Sequence, residues 1–120
     1  MNKPDIKKCL TSILFSMLPL FANASSPKCD GIENWPASMA FVQLKNQNIL
    51  TNSQVDFKKS KVKLLASQEL TKNLYTQVHE VQFLKTDGSH ITVITENRAS
   101  VFECSEGPVK VYLVSQILGG

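Results

Sequence analysis

The sequence predicts an α+β domain: one N-terminal helix packed on a small antiparallel sheet of about four strands in meander order, closed by one disulfide. Three observations carry this reading. The apolar spacing is helical over one early segment and alternates afterwards. An Asp-Gly pair separates two of the alternating runs, as in a β-hairpin. Two cysteines remain once an N-terminal export signal is set aside.

The signal is the first element. The 120-residue chain opens MNKPDIKKCL, with Lys3, Lys7 and Lys8 against Asp5. The apolar run LTSILFSMLPLF follows over residues 10–21, then Ala22-Asn23-Ala24. A basic start, a short apolar middle and small residues at −3 and −1 are the pattern of a secretory signal peptide. Residues 1–24 are expected to leave, and residues 25–120 to form a single domain beginning at Ser25. The apolar run is shorter than the roughly 20 residues a bilayer span needs. Cys29 is not a lipid-attachment site: Ser-Ser-Pro-Lys precedes it, where a lipoprotein signal places a small residue, and Cys9 follows two lysines. Cleavage after Ala24 also splits the glycosylation sequon Asn23-Ala24-Ser25.

Removal of the signal leaves Cys29 and Cys104, an even pair that in an oxidising compartment reads as a disulfide. The bridge closes a loop of about 75 residues, worth roughly 4.5 kcal/mol as an upper value on the chain-entropy account. That is a large share of stability for a domain of ~96 residues. A redox pair or metal site lacks support, with no C-x-x-C and no histidine near either cysteine in sequence. Without the signal's three lysines and one aspartate, ten basic and nine acidic residues remain. So small a surplus gives no electrostatic case for nucleic acid or for an anionic membrane.

The segment IENWPASMAFVQLKNQNIL is the one helix. Pro36 suits the first helical turn, where a missing N–H costs nothing. Met39, Ala40, Phe41, Val42 and Leu44 give an apolar stripe, and Asn46 or Asn48 ends it. TNSQVDFKKS is a polar connection. Alternation begins near Lys59, and Val62 and Leu64 mark a strand ending at about Ser67, with ELTKN as turn or irregular crossing. LYTQVHEVQFLK is the second strand and SHITVITEN the third. ASVFECSEGP is loop, punctuated by Gly107-Pro108. VKVYLVSQIL is the last strand, with Val109, Val111 and Leu113 on one face.

The hairpin fixes a register. A three-residue loop, Thr86-Asp87-Gly88, with Gly88 in the left-handed conformation, places Phe83 opposite Ile91 and Val81 opposite Val93. One face is then apolar, while Glu80, Gln82 and Thr92 share the other. A two-residue turn mixes the faces by pairing Phe83 with Thr92 and Val93 with Gln82. Because a slip of one residue reverses every side chain, the three-residue loop is the expected one.

Candidate chemistry is sparse. The only histidines, His79 and His90, point to opposite faces in this register, so they form no acid–base couple. Glu80, near Ile94 and Thr95, has no partner with which to share a proton. Glu103 and Glu106 flank Cys104 in a loop and read as solvated. No G-x-S-x-G or glycine-rich phosphate loop is present. The lysines of KKSKVK, residues 58–63, read as guards on an edge strand; a phosphate site would favour arginines or interleaved aromatics, and the sole arginine is Arg98. Trp35, beside Pro36, is either an exposed binding anchor or a cover for the disulfide. The surface candidates for binding are therefore Trp35, Glu80 and His90. No catalytic, cofactor or metal residue is expected.

CDGIENWP, VKLLASQEL, LYTQVHEVQFLKTDG, ITVITENRAS, ECS and VKVYLVSQILGG together resemble a group of short exported proteobacterial proteins, mostly without an assigned activity. Some are labelled Shiga toxin A subunit. The resemblance spans nearly all of residues 25–120 and implies export and a shared fold. It brings no catalytic residue: the ribosome-inactivating domain behind that label is far longer than ~96 residues. That domain also uses a Glu and an Arg one helical turn apart, whereas Glu96-Asn97-Arg98 has another spacing and stands at a strand end.

Two functions follow as expectations. The first is a binding or inhibitory module of the periplasm, of the immunity type, with a protein partner in the cell envelope and no membrane contact after signal removal. Binding needs only an exposed patch. The second is a small secreted toxin component or hydrolase, which needs His90, Glu80 and Lys63 or Lys85 brought together.

Overall fold

The computed structural model describes residues 26–115 and residue 118, so the expected signal peptide lies outside the described residues. The elements run α1 (Trp35–Asn46), a 3-10 turn (Asn52–Gln54), β1 (Lys61–Thr71), β2 (Leu74–Leu84), β3 (His90–Ala99) and β4 (Lys110–Val114). The four strands form one sheet in the order β1-β2-β3-β4, antiparallel throughout. Among the described residues the helix precedes every strand, and α1 lies on one face of this meander.

Pro36 stands in the first turn of α1, where no backbone donor is lost. The far end closes by a Schellman motif. Asn48 takes φ 58°, its N–H donates to the Lys45 carbonyl at 3.0 Å, and the Ile49 N–H donates to Leu44 at 2.9 Å. Ala37, Ala40, Phe41 and Leu44 form the buried stripe at helical spacing. The stripe is thus rotated from the expected one: Ala37 replaces Met39 and Val42 at the core, since the helix rolls to bring its small alanines against the sheet. Opposite them stand Val81, Phe83 and Val93. Phe41 meets Phe57 edge-on, with ring centroids 4.9 Å apart, and lies 5.9 Å from Phe83.

The polar connection contributes more than expected. Its Val55 is buried in the same core, as is Leu50 just before it. Val55 bridges to Lys85, and the Asp56 N–H donates to the Leu84 carbonyl at 2.8 Å. β1 also runs past the expected end at Ser67. It reaches Thr71 and turns through Lys72-Asn73, with Asn73 at φ 57°, a conformation that Asn tolerates well. The pairing shifts between Leu64 and Ala66, leaving Leu65 as the extra residue of a bulge. β4 is shorter than expected and ends at Val114; Gln116 and Ile117 lie outside the described residues.

The β2–β3 hairpin adopts the expected register, with Phe83 opposite Ile91 and Val81 opposite Val93. The Lys85 N–H donates to Ser89 at 2.7 Å, and the Gly88 N–H donates back to Lys85 at 3.0 Å. Gly88 has φ +93°, and a Cβ there would meet no atom within 4 Å. Gly88→Val should therefore act through backbone strain rather than a clash and destabilise the domain by about 1–2 kcal/mol. Thermal melting checks this, and an unchanged midpoint would contradict it.

Cys29 and Cys104 are joined, with Cα atoms 5.7 Å apart across 75 residues. Cys29→Ser and Cys104→Ser should each cost a few kcal/mol. The double change should cost little more than either alone, because one bond is lost in all three cases. Denaturant unfolding of the three variants tests this; additive losses would mean that the two side chains stabilise the fold separately.

Candidate functional site

The structure distributes the three surface candidates over two regions. Trp35 opens α1, is 36% exposed, and donates its indole N–H to the Gly107 carbonyl at 3.2 Å. It thus ties the helix start to the loop that carries Cys104. Glu80 lies on the sheet face away from α1, between Lys63 of β1 and Ile94 of β3. His90 shares that face but pairs with Leu84, four positions further along β2. At about 3.4 Å per residue the two side chains stand roughly 14 Å apart. Lys63 thus neighbours Glu80, while His90 does not join them. Glu96 and Arg98 also belong to this outer face, two residues apart on one strand. Glu96 makes an exposed ion pair of 3.8 Å with Lys110.

The face under α1 holds a feature that the sequence reading passed over. Beyond Val81 and Val93, the inward row continues as His79 opposite Thr95 and Gln77 opposite Asn97. All four are buried. The Gln77 amide donates to the Pro27 carbonyl at 2.8 Å and to the Ser26 and Ser67 hydroxyls, each at 3.1 Å. The Asn97 amide donates to the Cys104 carbonyl at 3.0 Å and to Arg98 at 3.2 Å. These two amides stitch both disulfide-bearing segments to the sheet. Five atoms of the same patch have no hydrogen-bond partner among the described residues: Gln77 Oε1, Asn97 Oδ1, Thr95 Oγ1 and both His79 nitrogens. Buried polar atoms are nearly always partnered, so five together are unusual. Acceptors outnumber donors in this set, which suits water or another donor-rich group. Thr95 and His79 face each other across the β2–β3 pair with no hydrogen bond between them. A cleft of about 410 Å³ between residues 26–30 and Leu64 has His79 in its lining.

A third arrangement lies at the end of the sheet where β1 turns into β2. The loop after β3 is closed on Ser100. The Ser100 N–H donates to Glu103 at 2.8 Å, while the Ser100 hydroxyl accepts from the N–H groups of Phe102 and Glu103, each at 3.2 Å. The Val101 N–H donates to the Asn73 side chain at 3.1 Å, fastening the loop to the β1–β2 turn. Phe102 projects from this frame and is 89% exposed, with its chain neighbour Val101 also exposed, as is Leu70 near the end of β1. Phe102 carried no sequence signal beyond its apolar character, beside Val101 in a mostly polar loop.

Among the described residues no group of three or more His, Cys, Asp or Glu is placed to hold a metal ion. None of their helices is long and apolar enough to cross a membrane. The class defined by these observations is an α+β domain with one helix on a four-stranded antiparallel meander and one disulfide. Compared with known proteins, the chain matches no family model, no curated protein and no solved structure.

Burial holds the His79 imidazole below its ordinary value, opposed by the Asp30 carboxylate. The folded protein therefore binds fewer protons here than the unfolded chain. The stability linked to neutral His79 is whole above about pH 6.5 and is lost as pH falls from there through the depressed folded value. His79→Gln should flatten the stability profile between roughly pH 6.5 and pH 5, above the carboxylate range. Denaturant midpoints measured across that window test it; a slope unchanged by the substitution would assign the acid sensitivity elsewhere.

Proposed function

We propose that this chain is a small exported protein, cut before Ser25, that acts in the periplasm or outside the cell as a binding or inhibitory module of the immunity type. The observation that carries the reading is Phe102, an aromatic side chain 89% exposed on a loop held by five hydrogen bonds. An aromatic presented on a fixed frame loses little freedom on docking, and such residues are the usual anchors of protein interfaces. The Cys29–Cys104 bridge, which closes the chain just beyond this loop, suits an oxidising compartment. The partner is a protein of the cell envelope, a toxin or hydrolase, that offers an apolar pocket to Phe102. Trp35 is joined to a later part of the same β3–β4 segment through its bond to Gly107. Glu80 and His90 lie on the outer sheet face and are outside this surface.

Phe102→Ser should leave the melting temperature unchanged and weaken partner recovery from periplasmic extract at least about tenfold, in line with roughly 2 kcal/mol for an anchor residue. The intact mass of the recovered protein should begin at Ser25 and show no free thiol. Equal recovery of one partner by wild type and variant would remove Phe102 from the interface, and a mass retaining residues 1–24 would remove export.

A further inference from the structure

A cleft of about 460 Å³ opens at the opposite end of the sheet from Phe102, where β1 begins and the β2–β3 hairpin turns. Its lining comes from separate parts of the chain: Lys58, Lys59 and Ser60 from the turn before β1, Lys61 from β1, Gln82 and Leu84 from β2, and His90 from β3. That volume falls in the ordinary range for small-ligand sites. Three lysines and no carboxylate line it. The neighbouring Asp56 is engaged with the backbone, accepting from the Lys59 N–H at 3.3 Å. The charge is local rather than global. Residues 25–120 carry ten basic and nine acidic side chains, yet four of the ten basic ones fall within residues 58–63.

Protection of a sheet edge explains only part of this. β1 is an edge strand, and Lys61 and Lys63 on it serve that purpose. Lys58 and Lys59 precede the strand in a turn that pairs with no other strand, and His90 reaches the cleft from two strands away. Like charges gathered around a concavity repel one another, and an anion seated between them relieves that repulsion. Arginine is the more frequent phosphate partner, but lysine ammonium groups also bind phosphate, as point charges that need no planar match. Leu84 and the lysine methylenes give the rest of such a ligand an apolar wall.

We propose that this cleft binds the phosphate group of a small organic phosphate or of a phospholipid head, with Lys58, Lys59 and Lys61 neutralising the charge and His90 lining the far side. The site is independent of the Phe102 surface and can fail or stand without it.

The test uses protein expressed from the full chain and purified with its disulfide intact. Amide chemical shifts are followed during titration with inorganic pyrophosphate and with glycerol phosphate. Sedimentation with vesicles of phosphatidylglycerol is compared with vesicles of phosphatidylcholine. Saturable shifts confined to residues 58–61, 82–84 and 90 are expected, or selective sedimentation with phosphatidylglycerol. Binding of the soluble probes assigns a free phosphate compound; sedimentation without it assigns a lipid head. In either case Lys59→Gln with Lys61→Gln should weaken binding at least tenfold, His90→Gln should weaken it less, and Lys110→Gln, at the other end of the sheet, should change nothing. The proposal is overturned by no saturable response to any probe, by the double variant binding as wild type does, or by Lys110→Gln losing as much as the double variant. Circular dichroism of each variant confirms the fold before it is scored.

Discussion

Every face of this domain follows from the pairing of β2 with β3. With Val81 opposite Val93 and Phe83 opposite Ile91, the alternation of two strands sorts their residues into an apolar row for α1, a polar row beside it, and an outer face left to solvent. The constraint is discrete, since a slip of one residue exchanges both faces at once. Such a slip would turn Phe83 and Val81 to water and set Gln82 and Glu80 under the helix. The five-residue return at residues 85–89 fixes the count: Gly88 supplies the one conformation that a β-branched side chain resists, and Asp87 caps it by accepting from the Ser89 N–H at 2.9 Å. Register is thus set locally at the turn and confirmed by burial along the strands.

The inner face needs two covers, and they are of different kinds. α1 covers Phe83, Val81 and Val93 by apolar contact, with Phe41 reaching toward Phe57 and Phe83. Toward the other end the covering chain is residues 26–30 and the loop after β3, which are too short and too polar to bury a second apolar patch. The row changes chemistry to match. Gln77 and Asn97 use their amide donors to hold the backbone of both segments, and the disulfide locks the segments to each other. A covalent bond and a pair of amides thereby substitute for the hydrophobic burial that a larger domain would use. The imidazole of His79 lies in this row beside residues 26–30, buried without a partner among the described residues.

Much of this was legible in the sequence, and the reason is the strength of period-two and turn signals. Asp87-Gly88 and the alternation on either side of it gave the hairpin and its register; the paired cysteines gave the bridge. The end of β1 was missed because Glu69, Thr71 and Lys72 resemble a polar loop, while the strand there is held by backbone pairing with β2 rather than by an apolar face. Val55 was missed because an isolated apolar residue in a polar stretch carries no period. The polar row was in reach: Gln77, His79, Val81 and Phe83 alternate in one strand, so the residues that share a face with Phe83 had to be inward too. Treating the histidines only as a possible catalytic pair hid that step. Phe102 could not be found from spacing, since its exposure depends on Ser100 and Asn73 closing the loop beneath it.

The sheet has two edges, and the difference between them bears on how the domain meets other molecules. β1 is long but is interrupted by the bulge at Leu65 and carries Lys61 and Lys63, features that resist pairing with a foreign strand. β4 has five residues, and Tyr112 and Leu113 on it are exposed. A strand that short offers few ladder hydrogen bonds to an added chain, so its apolar side chains do not make it a strong template. Association by strand addition is therefore weakly favoured at both edges. What the fold presents instead are two features at opposite ends of the same rigid sheet: an aromatic side chain held clear of the surface, and a concavity ringed by ammonium groups. The strands between them are ten or so residues long, about 35 Å at 3.4 Å per residue, so a ligand at one end leaves the other sterically free.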